Sequence, residues 1–580
     1  MAETLISPGV LARENDQSQI TQGPVEVGAA IIGPSIKGPV EIPTLVNSYS
    51  EYLAIFGGSV ISGSVQYSYL NQIAANNYFR QGGNSLLVTR VVSGSFSGAK
   101  TFEIFNGVGP AAVDLRSSSF ELTTIAEGDI MNNSASAQSQ LLSNGSLRSG
   151  SVDNVRWEVT AVNTSSGVFS LIVRRGDDNN NQKSILETYN NLSLDPKQPN
   201  YIASVIGDQY YTVEQDGSDY YVKTNGNYPN SSRYVYVSAV NYPTPDYLDN
   251  NGDAKIQYTA SLPLVGSGSF FSGSGDLFAG GAAKFNEDIN SNNIQGVSAN
   301  DYTQSINLLS NKDDYQFNVL SAPGLIHANH SSQVNLLVTT AETRQDCIAV
   351  VDLRGYNSTV AQIVNQASSF DSSYAATYWP WLQLIDPDSG RTVWAPASTL
   401  IPGVFAYTDA SSDPWFAPAG LTRGGLGQVI RAEKKLTSGQ RDTLYEANIN
   451  PIATFPQSGV VVFGQKTLQK RSTALDRVNV RRLLIALKSY ISQVADNLVF
   501  EQNTIATRNN FLTQVNPYLE GVQQRQGLYA FKVVMDDTNN TPDVIDRNEL
   551  VGQIYLQPTK TAEFIILDFN VLPTGATFPA

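Results

Sequence analysis

The stretch VGAAIIGPSIKGPVEIPTLVNSYSEYLAIFGG, residues 27–58, decides the fold class. Residues 27–32 are an apolar run of strand length, and Gly33-Pro34 ends it because proline lacks an N–H and fixes its own φ. Ser48 followed by Glu51 is a capping box that opens a helix, and Gly57-Gly58 closes it. A short apolar strand followed by a capped helix is the repeating unit of an α/β layer.

Reading outward, the spacing predicts a second helix over residues 65–81, stopped by Gly82-Gly83, and a buried strand over residues 85–92, SLLVTRVV. The same texture returns near residue 314. Residues 315–320, 347–353 (CIAVVDL) and 459–464 (GVVVFG) read as strands, with a helix over 331–343. Residues 96–299 differ: they are rich in Ser, Asn, Gly and Asp, with short alternating strands at 157–162 and 170–174, and residues 270–296 read as a long loop. From residue 478 apolar side chains at Val480, Leu483, Leu484, Leu487, Ile491, Val494 and Leu498 make one helical stripe. A further helix over 504–518 precedes an expected hairpin, with strands at 552–557 and 562–571 and Ile565, Leu567, Phe569 and Val571 on one face.

The expected architecture is therefore a multidomain mixture of α/β and α+β parts. Residues 23–95 and 300–467 form a discontinuous α/β core, 96–299 an inserted β-rich part of one or two domains, and 468–580 an α+β C-terminal domain. Residues 1–22 carry apolar side chains in twos and threes. Thr4-Leu5-Ile6 and Gly9-Val10-Leu11 are each long enough for a short strand but cannot bury themselves alone.

Of the 580 residues 41% are hydrophobic and 15% charged, enough apolar material for sizeable cores and too little charge for a disordered chain. The net charge of −15 argues against a surface that tracks nucleic-acid phosphates. Cys347 is the sole cysteine, which excludes an intrachain disulfide and a polythiolate zinc site. No apolar run approaches the length of a membrane span, and the first residues lack the pattern of a signal peptide.

A search for catalytic constellations comes back empty. There is no phosphate loop, Gly424-Gly425-Leu426-Gly427 lacks the dinucleotide-binding spacing, and no Gly-x-Ser-x-Gly elbow occurs. His327 and His330 have no third metal ligand suggested nearby, and the acidic stretch 246–253 fails the calcium-loop register at Tyr247. No enzyme, metal or cofactor is expected. Residues 431–488, by contrast, hold eleven Lys and Arg against four Asp and Glu. Arg431, Lys434, Lys435, Lys470, Arg471, Arg477, Arg481, Arg482 and Lys488 are accordingly a candidate basic docking face, alternative to a plain solvated surface.

Ordered landmarks then resemble one known family. They are SPGVLAREND at 7–16, the 27–58 stretch with its Gly-Pro-x-x-x-Gly-Pro pattern, NYFRQGGNSLLVTRVV at 77–92 and LETYNNLSLDPKQPNYI at 186–202. They continue with WPWLQLIDPDSGRTVWAPAST at 379–399, PWFAPAGLTRG at 414–424, NINPIATFPQSGVVVFGQKTL at 448–468, and the run from 500 to 550. Together they resemble the contractile tail sheath proteins of large contractile-tailed bacteriophages, with the weakest coverage over 96–299. The end departs from the pattern, since residues 575–580 lack an acidic residue beside the last Phe.

The resemblance implies a structural subunit of the virion tail, assembled in the host cytoplasm, that stacks with copies of itself in rings, commonly six-fold. Its implied partners are an inner tail tube protein, which the basic face would meet, and baseplate and tail terminator proteins, with no direct nucleic acid and no membrane insertion. It also implies a subtilisin-like core, here without a triad. Terminal arms around Thr4, Leu5, Ile6, Val10, Leu11 and Ile565, Leu567, Phe569, Val571 would add strands to neighbouring copies. Contraction would drive the tube through the host envelope for genome delivery. The sheath of a bacterial contractile injection particle shares these mechanics, and a surface-binding adhesin is a further alternative.

Overall fold

The computed structural model describes residues 28–62, 65–103, 119–133, 149–217, 219–277 and 289–563. Its centre is an eight-stranded sheet in the order Thr44–Val46, Leu86–Arg90, Ala29–Gly33, Val319–Ile326, Ile348–Asp352, Ala375–Trp379, Asn450–Phe455, Gly459–Val462. The five strands from Leu86–Arg90 to Ala375–Trp379 run parallel, with Ala30 opposite both Leu87 and Leu320 and Val350 opposite both Ser321 and Ala376. They are buried on both faces, which is why they read as unbroken apolar runs rather than alternating ones. Strands before residue 91 and after residue 318 thus share one sheet, although more than two hundred residues separate them.

Helix Tyr49–Phe56 begins as its sequence dictates. Ser48 Oγ accepts the Glu51 N–H at 3.1 Å, while Glu51 Oε2 reaches one residue beyond the cap and accepts the Asn47 N–H at 2.9 Å. Gly57, at φ 81°, closes the helix in a conformation an L-residue rarely adopts. The helix expected over 65–81 is shorter. It spans Leu70–Arg80, and Val65–Tyr67 instead pairs with Val60–Ser62 as a hairpin. Its start carries no local cap: Tyr69 offers no side-chain bond, and the Leu70 N–H is satisfied by Gln295 Oε1 at 3.1 Å, from 225 residues away. Strand Val319–Ile326 begins four residues later than the 315–320 reading.

A seven-stranded antiparallel sheet lies wholly between residues 98 and 271, in the order Ile185–Ser193, Val168–Arg175, Val155–Asn163, Gly266–Phe271, Gly98–Glu103, Phe120–Glu127, Val235–Val240. Its core mixes aliphatic side chains with an aromatic group in which Phe120 stacks on Phe169 at 5.6 Å and meets Trp157 edge-on at 5.9 Å. Gly266–Phe271 occupies the middle of this sheet, so the loop expected over 270–296 begins inside a strand. Tyr210–Asp216 and Asp219–Asn225 form a separate hairpin that carries Tyr210, Tyr211, Tyr220 and Tyr221.

The C-terminal part packs helices Val478–Asp496 and Ile505–Gln524 around Leu483, Leu487, Val494, Phe511, Val515 and Leu519, with Tyr490 stacked on Tyr518 at 3.8 Å. The first helix buries a second face as well: Val478 and Ile485 belong to the central core. Gln553–Pro558 pairs antiparallel with Leu528–Val534, while the strand expected over 562–571 lies, from residue 564 on, outside the described residues.

Candidate functional site

The side chains that carry chemistry elsewhere are engaged structurally here. His330 Nδ1 accepts the Ile326 N–H at 3.0 Å, so its Nε2 carries the proton and donates to Asn290 O at 2.9 Å. His327 bonds Gln366 at 2.6 Å and rests edge-on against Phe370, and burial lowers the pKa of both imidazoles. The acidic stretch near residue 250 folds as a turn in which Asp249 Oδ1 accepts the N–H groups of Asn251 and Asp253 at 2.8 and 3.0 Å. Among the described residues no group of three His, Cys, Asp or Glu side chains is placed to hold a metal.

One buried pair escaped sequence reasoning. Asp352, at the end of a core strand, accepts both the hydroxyl and the main-chain N–H of Ser398, and burial pushes its carboxyl up to about 7 against those two bonds. Ser398 O in turn accepts the Ser321 hydroxyl at 3.1 Å, which ties three segments of the core together. His327 meets Asp352 only through main-chain atoms, at 2.9 Å.

The Gly-Pro-x-x-x-Gly-Pro pattern folds around Arg90. That guanidinium, fully buried, donates to the carbonyls of Ser35 (3.1 Å), Ile36 (3.2 Å) and Gly38 (2.8 Å), and to Glu127 O at 2.8 Å. Phe96 covers it at 5.2 Å. Glu127 ends a strand of the inserted sheet, so Arg90 fastens that sheet to the core where the chain passes from one to the other. The Glu127 carboxyl is pushed up to about 7, by burial first, with Arg90 opposing. The visible signal in the sequence was a lone arginine within the apolar run LLVTRVV.

The candidate basic face divides. Arg431, Lys435, Lys470, Arg471 and Lys488 are exposed, and Lys434 and Arg477 are half-buried. Arg481 and Arg482 are only 3% exposed, which corrects their reading as surface residues. Arg482 pairs with Asp409 at 2.6 and 2.7 Å, while Arg481 donates to Ser373 O at 3.2 Å and lies 3.9 Å from the Tyr374 ring centroid. Lys434 is likewise engaged, bonding Ser358 O beneath the Trp379 ring. The helix of Arg481 and Arg482 is buried on two faces, so positively charged positions that look outward on a one-face wheel point into the second contact.

The sheet of the C-terminal part has two strands, and among the described residues neither outer edge is paired. Phe531, Val533, Ile554 and Leu556 pack toward the helices, whereas Tyr529 and Tyr555 stand 63% and 57% exposed on the other face. A short sheet with open edges is a template for added strands. Thr4, Leu5, Ile6, Val10, Leu11, Ile565, Leu567, Phe569 and Val571, the expected donors, all lie outside the described residues.

Two family profiles match in succession: the phage tail sheath protein central domain over residues 295–468, and the phage tail sheath C-terminal domain over residues 470–572. The tail sheath protein of Vibrio phage KVP40 is 32% identical over 359 residues, 57% of this chain and 51% of that protein. That of Enterobacteria phage T4 is 34% identical over 259 residues, 42% of this chain and 39% of that protein. The matches thus span about half the length of these relatives, or less. Among solved structures, the sheath tail protein of Listeria innocua aligns over 92% of this chain and 95% of its own, at 12% identity and a TM-score of 0.49. Residues 295–572 thus carry matches to the two phage tail sheath domains in succession, and phage tail sheath proteins are the relatives this chain resembles.

Proposed function

We propose that the chain is the repeating subunit of a contractile bacteriophage tail sheath, which stacks as six-fold rings around an inner tube and shortens to drive that tube through the host envelope. The observation that carries this reading is the succession of the sheath central and C-terminal domains over residues 295–572. The work comes from a difference in contact free energy between two packings of the same subunits and requires no catalysis. The core is a subtilisin-like scaffold without a triad, consistent with the engaged state of His327 and Ser398.

Neighbours are joined by strand addition. Residues 4–6 and 10–11 of one copy and 565–571 of another extend the sheet formed by Leu528–Val534 and Gln553–Pro558, whose edges, unpaired among the described residues, and exposed tyrosines suit that addition. The exposed subset Arg431, Lys435, Lys470, Arg471 and Lys488 faces the tube protein. Baseplate and terminator proteins close the two ends, and assembly takes place in the host cytoplasm. Negative-stain microscopy of the purified chain, alone and with tube protein, is expected to show striated cylinders or rings. A monodisperse monomer at high concentration under both conditions would overturn the proposal.

A further inference from the structure

The chain leaves the C-terminal domain in an unexpected direction. Thr559 N–H still bonds Gly527 O at 3.2 Å, at the end of the strand pair. Two residues later the segment is held by the central core. Gln465 Nε2 donates to Thr561 Oγ1 at 2.6 Å and to Glu563 Oε1 at 3.1 Å. Arg477 grips the Glu563 carboxylate in fork geometry, at 2.6 Å through Nε and 3.0 Å through a terminal nitrogen, and Tyr445 OH adds a fourth donor bond to that carboxylate at 2.9 Å.

The holding side chains come from three elements: Tyr445 from helix Ser438–Glu446, Gln465 from the segment after Gly459–Val462, and Arg477 from the N-cap of helix Val478–Asp496. Asp476 pairs with Arg477 at 3.0 Å, and Lys466 donates to the main-chain oxygen of Tyr445 at 2.7 Å. Burial raises the Glu563 pKa, but the bonds from Arg477, Gln465 and Tyr445 outweigh it and hold the carboxyl below its ordinary value. All three helices and both strands described between Arg477 and Glu563 belong to the C-terminal domain, so its entry and exit are tied at one point.

We propose that Tyr445, Gln465 and Arg477 form a carboxylate socket for the Thr-x-Glu root of the C-terminal segment, through which tension on residues 564–580 passes into the central core and bypasses the two-stranded sheet. This rests on the reading that residues 565–571 pair with a neighbouring copy. Without the socket, pull on the segment would act at Pro558 and open the strand pair one hydrogen bond after another. With it, the fork and the two further donors to the carboxylate are loaded together, and bidentate charge-assisted bonds are the stronger kind. Residue 571, the far end of the pairing segment, lies eight residues beyond Glu563, so the receiving sheet lies within about 27 Å of it, at roughly 3.4 Å per extended residue.

The test is to pull the full-length chain between its C-terminus and a handle at Lys312→Cys. The wild type is expected to hold to a higher force and then lose the socket. Glu563→Gln, which keeps shape but removes charge, is expected to unzip residues 528–558 first and at lower force, and the swap Arg477→Glu with Glu563→Arg to restore the higher value. Unloaded, hydrogen exchange over 559–563 should rise about tenfold in Glu563→Gln while residues 478–534 keep their protection. If that variant loses protection throughout, Tyr445→Phe, which deletes one donor, is expected to lower the rupture force by a smaller step. Equal rupture forces and opening order in wild type, Glu563→Gln and Tyr445→Phe would overturn the socket. Deleting 564–580 tests the exchange separately: normal cylinders from that chain would refute strand exchange while leaving the force result standing.

Discussion

Replacing Arg90 by Met should loosen the join between the core and the inserted sheet. Methionine keeps most of the buried stem but donates nothing, so the carbonyls of Ser35, Ile36, Gly38 and Glu127 lose a partner in a site with no exposed surface. A buried acceptor left unpaired costs about 1–3 kcal/mol. Part of that is recovered because burying the guanidinium is itself unfavourable, as its depressed pKa of about 10 records, with burial as the main cause. Taking two of the four carbonyls as fully orphaned, the net loss is about 4 kcal/mol, or roughly a thousandfold in the local opening equilibrium. A chain of several cooperative units does not unfold in one step, so native-state hydrogen exchange is the suitable assay, read over residues 34–41 and 120–127. Arg90→Lys should fall between, since one ammonium cannot span four acceptors. If protection in both segments changes by less than about fivefold in Arg90→Met, roughly 1 kcal/mol, Arg90 does not hold the junction.

Ser48→Ala removes the bond to the Glu51 N–H and should cost about 1 kcal/mol, seen as faster exchange in residues 49–56; unchanged exchange there would show the cap to be idle. Arg482→Glu places like charges together beside Asp409 and should destabilise the helix and its contact with the core by about 3–5 kcal/mol. Arg431→Glu, on an exposed strand, should change stability by less than about 0.5 kcal/mol, and equal effects from the two in denaturant melts would contradict their different burial. Asp352 keeps its proton to about pH 7 when folded but releases it near 3.8 when unfolded, so between those values the unfolded state binds fewer protons and stability falls as pH rises. Asp352→Asn should flatten that slope in melting curves from pH 4 to 7, and a persisting slope would place its origin elsewhere.

Local signals in the sequence were sufficient wherever the cause of a structure is itself local. The run at 27–32, the Ser48 cap and the Gly57 stop reappear as strand and helix because one residue's backbone preference or one short-range bond decides each. The helix from residue 478 was equally legible from its apolar stripe, since the 3.6-residue period needs no knowledge of the partner. What that stripe could not reveal was a second buried face, and Arg481 and Arg482 therefore looked like surface charges.

The start of helix Leu70–Arg80 was misplaced for a related reason: its first N–H is capped by Gln295, a partner no local window contains. The pairing of Gln553–Pro558 with Leu528–Val534, the Asp352–Ser398 bond and the grip of Arg477 on Glu563 likewise join residues that only the folded chain brings together. The order of landmarks along the sequence sufficed to point to the tail sheath resemblance that the two domain matches bear out, because family motifs are read in one dimension. Which charges meet solvent and where the C-terminal segment is fastened were decided by the tertiary structure, because burial and ion pairing depend on distances between segments that sequence separation does not set.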